Sequence, residues 1–118
     1  MTPIQHDTAV IRARLESERA EAQARTADLA ASIAGVVAAS DGANSDDEHD
    51  PEGATIAFER AQAQALMRLT EAHLAEITAA LGRLAAGEYG VCTSCGAALP
   101  AARLEARPTA STCVACAP

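Results

Sequence analysis

A chain of 118 residues with one Tyr, one Phe and no Trp cannot fill a thick globular core, so one small domain, or a small module with an extension, is expected. Its 49% apolar content is largely alanine, which together with Leu, Glu, Gln and Arg reads as helix, and no apolar run approaches the roughly 20 residues that cross a bilayer. Nine Lys and Arg against 16 Asp and Glu give a formal charge of −7, the wrong sign for neutralising phosphates, which argues against direct nucleic-acid binding, while the lack of a long apolar run argues against a membrane role.

In chain order, residues 4–40 read as a first helix. Leu15, Ala22, Leu29 and Val36 recur every seven residues, Ile11 and Ile33 sit one turn away on the same side, and Glu16, Glu18, Arg19, Glu21 and Arg25 fall mostly on other faces. The stretch from Asp41 to Asp50 is turn chemistry with no apolar anchor beyond alanine. A second helix is predicted over 51–86, with Asp50 as N-cap, Pro51 at its first position and Gly87 as its stop. Ala63, Met67, Thr70, Leu74, Ile77, Leu81 and Leu84 give it an unbroken apolar seam. Such a narrow stripe needs a partner, and the first helix, joined by a short polar turn, supplies one in an antiparallel coiled-coil hairpin over residues 1–86.

The turn between the helices, 41–52, is acidic. Asp46, Asp47, Glu48, Asp50 and Glu52 lie within seven positions with no Lys or Arg among them. A charge run of this kind is ordinarily a solvated turn, and Asp50 and Glu52 also suit a helix N-terminus. Carboxylates at the end of a helical hairpin are equally a way to deliver negative charge to a metal ion or to basic groups inside a channel. Met67 reads as core filling, and His6 and His73 as solvated helix-surface residues.

The richest chemistry is C-terminal. Cys92/Cys95 and Cys113/Cys116 are two Cys-x2-Cys pairs separated by the 17 residues from Gly96 to Thr112, the spacing of a four-cysteine zinc site. Gly96 directly after Cys95 permits the positive φ that folds the backbone round a metal and turns amides toward the thiolates. Four thiolates fill a tetrahedral sphere and leave no open position, so one structural Zn²⁺ is expected rather than a catalytic one. With one zinc bound, the four thiolates take the formal charge from −7 to about −9. Four cysteines have two other ordinary uses. A disulfide framework needs an oxidising compartment, and Met1 to Val10 show neither a basic n-region nor an apolar h-region, so a cytoplasmic, soluble protein is expected. A redox dithiol needs an alternation of strand and helix that this chain lacks.

The stretch Gly90-Val91-Cys92-Thr93-Ser94-Cys95-Gly96, then Arg103-Leu104-Glu105-Ala106-Arg107-Pro108-Thr109-Ala110, then Cys113-Val114-Ala115-Cys116, resembles the C4-type zinc finger of the DksA/TraR family. The resemblance covers roughly residues 87–116, and the hairpin upstream agrees in architecture. It implies a regulator that binds bacterial RNA polymerase without touching DNA, its coiled-coil tip reaching the active centre through the secondary channel. In one branch of that family the second helix begins with an Asp-x-x-Asp-x-Ala tip. Counting back from Cys92 without gaps sets His49, Glu52 and Ala54 at its defined positions; Ala54 is identical, Glu52 keeps the charge, and Asp50 stands one residue from the first aspartate. The C-terminal helix of longer members is expected to be missing, since two residues follow Cys116. The resemblance also raises guanosine tetraphosphate as a ligand, for which no residue here speaks.

The reading is therefore a mostly α protein, a long antiparallel coiled-coil hairpin followed by a small four-cysteine zinc finger at 87–118. Cys92, Cys95, Cys113 and Cys116 are the expected metal ligands; Asp47, Glu48, Asp50, Glu52 and Ala54 are the expected partner-binding tip; Arg103 and Arg107 are expected to brace the finger. RNA polymerase is the expected partner and no catalytic residue is expected. The alternatives are a zinc-stabilised helical interaction module for another protein and a thiol redox protein working at Cys92/Cys95.

Overall fold

The computed structural model describes residues 7–42 and 51–118, the last four residues before the break and the first two after it by their backbone alone. Three helices occur in the order α1 (Thr8–Gly42), α2 (Pro51–Ala85) and α3 (Ala101–Ala106). Among the described residues there is no strand beyond one isolated antiparallel bridge, Val91 with Ala98. None of these helices is long and apolar enough to cross a membrane.

Both ends of the long helices that are described follow from local chemistry. Asp7 caps α1: its Oδ1 accepts from the Ala9 and Val10 amides at 3.2 and 3.4 Å, and its carbonyl accepts from Ile11 at 3.0 Å. The seven-residue periodicity carries no sign of this cap, which precedes α1 at Thr8; residues 4–6, also expected in the helix, lie outside the described residues. The end of α2 is a Schellman turn. Gly87 takes φ +74°, its amide donates to the Leu84 carbonyl at 3.2 Å, and the Glu88 amide reaches back to Arg83 at 2.8 Å.

The chain divides into two compact units, one of residues 1–20 with 74–118, the other of residues 21–73. Each holds a stretch of α1 beside a stretch of α2 from the opposite end, so the two helices run antiparallel. In the first unit Leu15 of α1 and Ile77 and Ala80 of α2 are fully buried and Leu84 nearly so. Ala80 lies just off the seam read from the sequence; the buried line steps 77, 80, 84 there, and Leu81 is left half-buried. In the second unit Ala22 and Thr70 are buried, while Leu29, Ile33, Val36, Ala63 and Met67 are half-buried. Thr70 tolerates burial because its hydroxyl donates to the Leu66 carbonyl at 2.9 Å, so no polar atom is orphaned.

Candidate metal centre

After the Schellman turn the chain folds back on itself twice. The Gly96 amide donates to the Cys92 carbonyl at 2.9 Å and the Cys92 amide to Ala97 at 2.8 Å, closing a knuckle round the first pair. Gly96 has φ +77°, the conformation its position predicts, with open space where a Cβ would stand. The second pair repeats the device, the Cys116 and Ala117 amides both donating to the Cys113 carbonyl at 3.1 and 2.9 Å. Thr93 ties the two knuckles together, its amide at 2.9 Å and its hydroxyl at 3.2 Å from the Ser111 carbonyl.

These turns bring the four sulfurs within 4.8 Å of one another. A tetrahedral ion with metal–sulfur bonds of about 2.3 Å sets its sulfurs about 3.8 Å apart. The separation of Cys95 Sγ from Cys113 Sγ is 3.8 Å, and all four cysteines are unbridged. The donor set therefore fits one zinc ion, held by Cys92, Cys95, Cys113 and Cys116. Without a cation the thiols of Cys92, Cys113 and Cys116 hold their protons unequally. Hydrogen bonding from the backbone at Cys113, then Cys95, lowers the Cys92 thiol to about 6. Cys113 is lowered by the Cys116 thiol, and Cys116, which gives that hydrogen bond, is pushed up to about 12. A divalent cation is what allows all four to ionise together.

A cluster of only four well-buried residues, Cys92, Leu99, Leu104 and Ala110, underlies the site, with Tyr89, Cys113 and Cys116 packed against it. So small a core does not hold a fold alone, and the metal supplies the difference. Helix α3 contributes Leu104 to that core and Arg103 to the loop, where its Nε donates to the Thr112 carbonyl beside the second pair at 2.9 Å.

The segment from Gly87 to Pro118 matches the family model of the prokaryotic dksA/traR C4-type zinc finger. Uncharacterized protein YteA of Bacillus subtilis (strain 168) is 39% identical over 66 residues, which is 56% of this chain and 28% of that relative's length. The structure of transcription factor DksA2 from Pseudomonas aeruginosa is similar over 92% of this chain and 78% of that one, with a TM-score of 0.76 and 27% identity.

Around this finger the structure adds contacts that sequence reasoning did not single out. Arg14 of α1 donates to the Glu105 carbonyl at 2.8 Å, Arg83 of α2 to the Thr109 carbonyl at 3.3 Å, and the Tyr89 hydroxyl to the Pro108 carbonyl at 2.7 Å. Arg14 and Arg83 look like surface charges in a helix pattern; only the tertiary fold turns them onto carbonyls. Arg107 pairs with Glu76 at 3.6 Å, both side chains well exposed, a contact worth under about 1 kcal/mol. Of the tip residues, Asp47, Glu48 and Asp50 lie outside the described residues, Glu52 is described by its backbone in the first turn of α2, and Ala54 is exposed in that same turn.

Proposed function

We propose that this protein is a non-enzymatic transcription regulator that binds RNA polymerase and acts through the polymerase's secondary channel, in the cytoplasm where that enzyme works. The observation that carries the reading is the match of residues 87–118 to the dksA/traR finger model, together with likeness over 92% of the chain to the structure of a transcription factor. The acidic balance of the chain favours a protein partner over nucleic acid. On this reading the zinc is structural, Arg103 and Arg107 brace the finger, and the carboxylates of Asp47, Glu48, Asp50 and Glu52, with Ala54, form the acting tip. Inside a channel of low effective dielectric, carboxylate charge exerts far more than it does in water.

The test is the double variant Asp50→Asn/Glu52→Gln, which removes charge while keeping approximate volume. Zinc content, helicity and most polymerase affinity are expected to be unchanged, and the effect on transcription by purified polymerase to disappear. Regulation equal to wild type would reduce the tip to a solvated turn. It would also favour the second reading, an interaction module for another protein partner, which His49 at a position that is aspartate in one family branch already supports.

A further inference from the structure

The metal centre has its own small core. Cys92, Leu99, Leu104 and Ala110 are buried together with Tyr89, Cys113 and Cys116 against them, and among the described residues none of α1 or α2 belongs to that cluster. The stretch that carries the chain into the second cysteine pair meets the long helices through single polar bonds, from Arg14 of α1 to the Glu105 carbonyl and from Arg83 of α2 to the Thr109 carbonyl. Helix α3 ends at Ala106, so the Glu105 carbonyl is one of the last-turn acceptors that a helix cannot satisfy from within. Arg14 satisfies it from 91 residues away in sequence.

The Arg14 guanidinium is oriented for this bond. Its Nε lies 3.6 Å from Glu18 Oε1 one turn along α1 while its Nη1 donates to Glu105 at 2.8 Å, so one planar group serves both partners. The apolar hold on the same helix end is thin: between Thr8 and Ala20 Leu15 alone is buried, Ile11 and Glu18 are half-buried, and Val10 is 62% exposed. A helix end that rests on one leucine opens readily unless something else fastens it, and one charged donor is then a large share of what keeps it closed.

The acceptor for Arg14 is in place only when the finger is folded, and the fold of so small a finger depends on its ion. We infer that Arg14 is a positioning residue of the metal centre, coupling zinc binding at the four cysteines to the docking of the first turns of α1. Two events that stabilise the same state strengthen each other by the same factor, so the coupling runs both ways. The measurement is zinc affinity by competition with a chromophoric chelator, in wild type, Arg14→Ala and Arg12→Ala, together with hydrogen exchange of the α1 amides 12–20 in zinc-loaded and chelated protein. Alanine is the better helix former, so Arg14→Ala does not weaken α1 itself. This variant is expected to bind zinc about fivefold more weakly, the effect of one exposed charged hydrogen bond, and zinc is expected to slow exchange at 12–20 about fivefold more in wild type than in the variant. Arg12 is exposed two residues earlier in α1 and carries the same charge, and Arg12→Ala is expected to bind zinc within about twofold of wild type. Equal zinc affinity of Arg14→Ala and wild type overturns the inference, as does wild-type exchange at 12–20 that is indifferent to zinc. A loss in Arg12→Ala as large as in Arg14→Ala would assign the effect to net charge near the thiolates and overturn it as well.

Discussion

The two compact units solve the same packing problem with different means. Residues 7–20 and 74–118 bury Leu15, Ile77, Ala80, Leu84, Leu99 and Leu104, and fasten the loop segment of the finger by side-chain donors to carbonyls at Glu105, Pro108, Thr109 and Thr112. Residues 21–73 have a thin seam whose larger members stay half-buried, and the hydroxyl bonds of Thr26 to Ala22 and of Thr70 to Leu66 remain inside their own helices. The first unit is specified by long-range, directional bonds and a metal. The second is held by helix propensity and a narrow apolar contact, which is why local opening is expected to begin there in the zinc-loaded protein.

Removing the metal breaks that comparison most severely. Structural zinc contributes on the order of 10 kcal/mol to modules of this size, so Cys113→Ser is expected to lose the ion and unfold residues 88–118. The order of stabilities then reverses, residues 21–73 keeping part of their helicity while the finger exchanges its amides freely. Elemental analysis with hydrogen exchange reads both halves of the outcome; protected amides at 92–116 in a zinc-free variant would show that the carbonyl contacts alone hold the finger.

A core truncation in each unit sharpens the comparison. Ile77 has no exposed surface, so Ile77→Ala is expected to cost about 2–5 kcal/mol. Met67, half-buried on the same seam, is expected to cost about half as much on truncation to alanine, because less surface returns to water. Urea unfolding of the two variants checks the ratio, and equal losses would mean that the seam is as tight in one unit as in the other.

The parts of this fold that sequence made legible are those in which each residue acts through its own helix or its own turn. The seven-residue seam on α1, the start of α2 at Pro51 and its stop at Gly87, and the four-cysteine cluster follow from periodicity, capping and spacing. The reading was less sharp where burial depends on a neighbour. A single methyl at Ala80, next to Leu81, gives no pattern to favour it, yet it is fully buried. Asp7 carries no such signal because the apolar repeat does not say where a helix begins. Arg14, Arg83 and Tyr89 carried no signal either, since a donor's partner is a backbone carbonyl that any sequence provides. The cysteines were legible for the opposite reason, their partners being one another.

Tyr89 offers the smallest and most selective test of the bonded unit. Its hydroxyl donates to the carbonyl of buried Pro108 at 2.7 Å, so Tyr89→Phe removes one neutral hydrogen bond and is expected to cost about 1 kcal/mol at pH 7. Burial raises the pKa of this phenol above its ordinary value of 10.0, opposed by the nearby Arg83 and Arg14 guanidinium groups. A raised folded-state value means that the fold favours the neutral phenol. The stabilisation is complete below the unfolded value near 10 and is lost as pH rises through the folded one, where the phenolate has no proton to give Pro108. The gap in stability between wild type and Tyr89→Phe is therefore expected to close above pH 10, wild type falling toward the variant. Both retain the same four cysteines, so any change at the metal acts on them equally and cancels in the difference. A gap that stays constant from pH 7 to 11 would show that the hydroxyl contributes by packing alone and that the contact at Pro108 does not hold the finger.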